Sequence, residues 1–172
     1  MDQINIDTFL QTVIKYADQF ERVITGLCVV IGLAVFTKAA FQFKAYADFR
    51  VMSATSPDFK KAVVNLIVAI MILYTPQLIH AFLVSFFNTP TPMAYSGASS
   101  SAELNEGIKA AGTVVQIVGL LAFIRGWLLL AQTAEHGGQP GAFGRALTLI
   151  ICGILSINIF GVFNVLNNTF FT

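Results

Sequence analysis

Charge is scarce in this sequence. Charged residues make up 11% of the chain and hydrophobic ones 56%, whereas a soluble domain carries about a quarter charged residues. Such a chain cannot cover its surface with polar groups in water, so a bilayer is the expected solvent. The net charge of +1 leaves no global field to attract nucleic acid. The only cysteines, Cys28 and Cys152, lie in apolar runs and form neither a disulfide framework nor a metal-ligand spacing. No Ser/His/Asp set, phosphate-binding glycine loop or carboxylate cluster is present, which argues against an enzyme. "MDQINID" is acidic where a cleavable signal peptide would be basic, so no processing at the start is expected.

What the chain has is long apolar runs. Four stretches, about 23–43, 62–87, 110–130 and 146–166, reach the roughly 20 residues needed to cross a hydrocarbon core. Continuous runs of this length predict helices, because barrel strands would alternate. Ahead of them, Ile6, Phe9, Leu10, Val13, Ile14, Ala17, Phe20 and Ile24 recur at helical spacing, with Asp7, Gln11, Lys15, Asp18 and Arg22 largely opposite. That pattern predicts an amphipathic helix lying in the interface. The expected fold is an all-α membrane protein: an amphipathic helix (1–22), a first transmembrane hairpin (23–87), a Pro/Ser-rich exterior loop (88–109) and a second transmembrane hairpin (110–172).

The loops orient this arrangement. Lys44, Arg50, Lys60 and Lys61 place the first loop on the cytoplasmic side, and Arg145 places the third loop there too. The second loop has no Lys or Arg before Lys109 and is expected outside, with both termini. Within the spans, Pro76 is expected to kink the second helix. Ser156, Asn158 and Asn164 are expected to hold helices together by hydrogen bonds. Ala122 and Gly126, one turn apart, allow close helix approach. His80 lacks a second ligand nearby, and the turn in "HGGQPG" accounts for its glycines and His136.

The chain also repeats itself. "IGLAVFTKAAFQF" (31–43) aligns with "VGLLAFIRGWLLL" (118–130) at an offset of 87, so that Gly32, Leu33, Phe36 and Lys38 match Gly119, Leu120, Phe123 and Arg125. Ala47 and Asp48 match Ala134 and Glu135 at the same offset. After a small gap, Phe59, Lys61 and Ala62 match Phe143, Arg145 and Ala146 at an offset of 84. Each copy reads as a helix with a cation near its inner end, a proline-containing turn, and a basic residue opening a second helix. Two spans per copy give both copies the same orientation, related by an axis along the membrane normal.

Lys38 and Arg125 lie on the order of 8 Å below the inner interface at about 1.5 Å rise per residue. Long side chains can snorkel that far. The alternative is a pair of cations facing lipid phosphate or an aqueous lumen. No Asp or Glu lies deep in any span, so no partner for them is expected within the chain. That lack also argues against proton-coupled antiport.

The repeated unit resembles the pilin-like small membrane subunits of type IV secretion and conjugation machines, which are two-helix hairpins with a short basic cytoplasmic turn. The matching elements are "GLAVFTKA" with "FKKAVVNLIVAIMILYTP", and "GLLAFIRG" with "FGRALTLIICGIL". The four-span arrangement looks most like the inner-membrane proteins of the type IVB branch, the Dot/Icm and IncI-type (TraQ-like) systems. The resemblance implies a non-enzymatic structural subunit in the bacterial inner membrane or an extruded pilus. It implies assembly with copies of itself and with other secretion-system membrane subunits. Membrane phospholipid would be its one bound non-protein group, and transferred single-stranded DNA could pass in a lumen. By the same resemblance Lys38, Lys60, Lys61, Arg125 and Arg145 would bind lipid phosphate or face the lumen. A small-solute channel or transporter, and a holin-like pore or assembly factor, are the competing expectations.

Overall fold

In the computed structural model, residues 6–52, 59–93, 95, 102–135 and 141–170 are described, and every regular element among them is helical. The helices are α1 (Ile6–Met52), α2 (Phe59–Leu73), α3 (Thr75–Phe87), α4 (Ala102–Glu135), α5 (Ala142–Ile157) and α6 (Ile159–Phe170). Two of them, α1 and α4, are long and apolar enough to cross a membrane. The number rises to four if each bent pair, α2 with α3 and α5 with α6, counts as one span.

The expected amphipathic helix and the first apolar run form one helix. No boundary falls at residue 22, and α1 continues through Lys44 and Asp48 to Met52, where a loop was expected. The reason is local. Between Ile6 and Met52 there is no proline, and the only glycines are Gly26 and Gly32, so nothing stops propagation once the helix is nucleated. Likewise α4 begins at Ala102, inside the stretch expected to be loop.

The other two runs are broken. Helices α2 and α3 bend by 79° at Tyr74, and α5 and α6 bend by 84° at Asn158. At the first break Pro76 stands in the first turn of α3, where its missing N–H is tolerated. Pro76 cannot donate to the carbonyl of Ile72, four residues back. The Thr75 hydroxyl donates to that carbonyl instead, at 2.7 Å. The second break has no proline. Asn158 leaves helical geometry with φ −115° and ψ 47°, and the chain restarts when the Val162 N–H donates to the Asn158 carbonyl at 2.9 Å.

Each long helix packs on the first half of the bent pair that follows it, α1 on α2 and α4 on α5. Glycines set both crossings. A Cβ on Gly32 would lie 3.2 Å from the Leu73 nitrogen, and one on Gly119 would lie 2.9 Å from the Ile157 nitrogen. Gly32 and Gly119 are 87 residues apart; Leu73 and Ile157 are 84 apart, as are the breaks at Tyr74 and Asn158. Both offsets are those of the sequence repeat. Gly153 brings α5 closer still, since a Cβ there would lie 2.8 Å from the Gly119 oxygen and from the Phe123 nitrogen. The two units then meet through α1 and α2 against α4. Ile24, Cys28, Val68, Ile72, Leu120, Ile124 and Ile157 form the shared core.

Candidate functional site

Polar side chains gather at the two ends of this core. At one end the Lys38 ammonium lies 2.7 Å from each carboxylate oxygen of Glu135. Asn65 is completely buried, and its amide nitrogen donates to the Gln42 side-chain oxygen and to Glu135 Oε1, both at 2.8 Å. Three helices thus supply one network: Lys38 and Gln42 from α1, Asn65 from α2 and Glu135 from the last turn of α4. The Asn65 side-chain oxygen has no hydrogen-bond partner among the described residues. Half of the Lys38 side chain stays exposed, while Glu135 is 18% exposed, so the carboxylate is the member that depends most on its partners.

This network corrects the expectation that no partner for Lys38 lies within the chain. Glu135 belongs to a stretch that reads as loop, and only the extension of α4 to its own C-terminus brings that carboxylate against α1. The expected equivalence of Lys38 and Arg125 is corrected as well. Arg125 is exposed and makes no hydrogen bond or ion pair among the described residues. The positions matching Gln42 and Asn65 in the second unit are Leu129 and Leu149, so the second unit has no counterpart of the network.

The remaining cations are dispersed. Lys60 is exposed at the start of α2, Lys61 beside it is half-buried and engaged in an interaction of its own, and Arg145 is exposed in the first turn of α5. Pro76 is exposed at the α2–α3 break. Asn158 is completely buried at the α5–α6 break. Its side-chain oxygen accepts the Met93 N–H at 2.9 Å, which ties the segment after α3 to the second break. Asn158 therefore bridges helix to loop rather than helix to helix. Asn164 is exposed, with its amide 3.8 Å from the Met93 sulfur. His136 and the glycines beside it lie outside the described residues, as do residues 53–58 and 96–101.

At the other end a cavity of about 380 Å³ opens between α1, α3 and α4, beside the first break. Glu21 and Thr25 from α1, His80 from α3, and Thr113 and Gln116 from α4 bring polar groups to its wall, and Pro90 and Pro92 close one side. From Glu21 to Lys38, α1 rises roughly 25 Å at about 1.5 Å per residue, close to the thickness of a hydrocarbon core. The polar groups sit at the two ends and the shared apolar core lies between. His80 stands out in the sequence, whereas Glu21 and Gln116 do not, because they stand on what reads as an interfacial helix and a plain span. No group of three or more His, Cys, Asp or Glu among the described residues could hold a metal.

Comparison of the chain with family models, with curated proteins and with solved structures finds no match.

Proposed function

We propose that this chain is a structural subunit of a bacterial type IV secretion or conjugation apparatus, assembling in many copies as a conjugative pilus or an inner-membrane conduit for DNA or protein. The observation that carries the reading is the doubled unit: a long apolar helix crossing a bent one at a glycine, built twice with the same offsets. A chain made of two copies of one packing unit suits a repetitive assembly. The network of Lys38, Asn65 and Glu135 joins the two units to each other. In this reading the chain crosses the inner membrane four times, with both termini and the second loop outside. Exposed apolar side chains such as Val30, Leu33 and Phe41 face lipid or neighbouring subunits. Lys60 and Arg145 remain available for lipid phosphate or a lumen.

Electron microscopy of sheared surface material from producing cells, probed for this chain, tests the pilus form. Filaments carrying the chain are expected, and filaments that persist unlabelled exclude it from the pilus. Cysteine labelling in intact cells tests the orientation, with Ser99→Cys expected to react from outside and Ser53→Cys not. The reverse pattern would invert the topology.

A second reading, a small-solute channel or transporter, is favoured by one observation, the cavity carrying Glu21 and His80. Loss of solute flux in Glu21→Gln with transfer and assembly intact would support it over the first.

A further inference from the structure

We propose that a second copy of this chain docks head to tail on the first, with Arg125 of one copy paired to Asp48 of the next. The inference rests on the self-assembly reading above and names the surface that performs it.

The chain contains one example of the contact already. Its first unit meets its second with Lys38 on the carboxylate of Glu135. Lys38 and Arg125 occupy the same position in the two units, as do Asp48 and Glu135. Repeating the contact one step further, from the second unit of one copy to the first unit of the next, brings Arg125 to Asp48. Both side chains are exposed, and neither has a hydrogen bond or ion pair among the described residues. An unpaired cation within an apolar span is costly, and a guanidinium suits a carboxylate through two parallel hydrogen bonds.

The apolar surfaces agree with the charges. In the chain, α4 receives the first unit with Leu120, Ile124 and Leu128. The matching residues of α1 are Leu33, Thr37 and Phe41, and Leu33 and Phe41 are 59% and 67% exposed. The first unit therefore carries an uncovered copy of the receiving surface. The first unit contributes Cys28 and Ile31 to the shared core. Their matches in the second unit are Val115 and Val118, both exposed. The second unit thus carries an uncovered copy of the inserting surface.

The contact is also directional. Lys38 and Glu135 are 97 residues apart, ten more than the repeat offset, so the second unit is staggered along α1 by about 15 Å at 1.5 Å per residue. A heterologous contact that repeats such a stagger extends as an open series instead of closing on itself. Leu129 and Leu149 replace Gln42 and Asn65 in the second unit, so the contact between copies lacks the amides and rests more on its charges.

The test uses two tagged full-length chains co-expressed in bacteria and extracted in mild detergent, each with Cys28→Ala and Cys152→Ser. One carries Arg125→Cys and the other Asp48→Cys. Mild oxidation is expected to give the mixed dimer, and a chain carrying both substitutions a ladder of dimers, trimers and larger species. Charge variants in mild detergent provide a second measurement. Arg125→Asp and Asp48→Arg should each weaken the oligomer at least ten-fold in dissociation constant, and their combination in one chain should restore it. An oligomer that persists without the mixed cross-link overturns this contact and leaves self-assembly standing. A chain that is monomeric in mild detergent overturns both. A cross-link formed only between two Arg125→Cys chains would indicate a two-fold contact and overturn the head-to-tail arrangement.

Discussion

In the first unit Lys38 holds Glu135 at 2.7 Å, and in the second the matching Arg125 is exposed without a partner among the described residues. Yet the two units cross their helices in the same way, Gly32 over Leu73 and Gly119 over Ile157. Packing that depends on a missing side chain is the same in both copies, while packing that depends on charge is satisfied only where the units face each other. The polar network therefore belongs to the junction between the units and not to the unit itself. One copy has its cation inside that junction, and the other carries its cation on the outer surface of the pair.

The largest effect that would probe this comparison is expected at the crossings. Gly153→Ala puts a Cβ 2.8 Å from two backbone atoms of α4, which cannot rotate away, so α4 and α5 must separate. A loss of about 2–3 kcal/mol is expected, read as reduced resistance to thermal or SDS unfolding in mild detergent. Gly32→Ala meets chiefly the Leu73 side chain, at 2.8 Å from its Cγ. That side chain can turn, so the cost should be about 1 kcal/mol. Equal costs at the two sites would show that the crossings are not built as described.

Next in size is the junction. Glu135→Gln keeps the shape but removes the charge that Lys38 faces and weakens an acceptor of the buried Asn65 amide. A loss of about 1–2 kcal/mol is expected by the same unfolding measurement. Little change would mean that the network is not a stabilising contact between the units.

A smaller effect is expected at the second break. Asn158→Ala removes the acceptor of the Met93 N–H and should cost about 1 kcal/mol. The break itself should persist, because the neighbouring Gly161 packs directly on the Asn158 side chain and would relax into the space left. Faster proteolysis of the segment around Met93, with helix content unchanged, would report the loss.

The smallest effect on the isolated chain is expected at Arg125. Arg125→Gln should change the stability of the monomer by less than about 0.5 kcal/mol, as is usual for an unpartnered exposed side chain. The combination of Lys38→Gln with Arg125→Gln should still insert into the membrane but assemble poorly. A monomer destabilised by Arg125→Gln as much as by Glu135→Gln would remove the contrast between the two units.

Much of this architecture follows from the sequence alone. Scarce charge and long apolar runs dictate a helical chain with segments long and apolar enough to cross a membrane, because every backbone group there must be satisfied without water. The repeat is legible too, since Gly32 with Gly119 and Lys38 with Arg125 share one offset. Proline at position 76 marks the first break by removing a backbone donor. The second break is not legible in this way: Asn158 has no proline beside it, and its departure from helix is tied to Met93, 65 residues away. The partner of Lys38 is equally hidden, because Glu135 is 97 residues distant in a stretch that composition assigns to a loop. Local composition determines where the apolar helices run and which cations stand within them, though not where those helices end. Only the tertiary structure decides which of those cations is neutralised, because that depends on how far one helix is staggered along another.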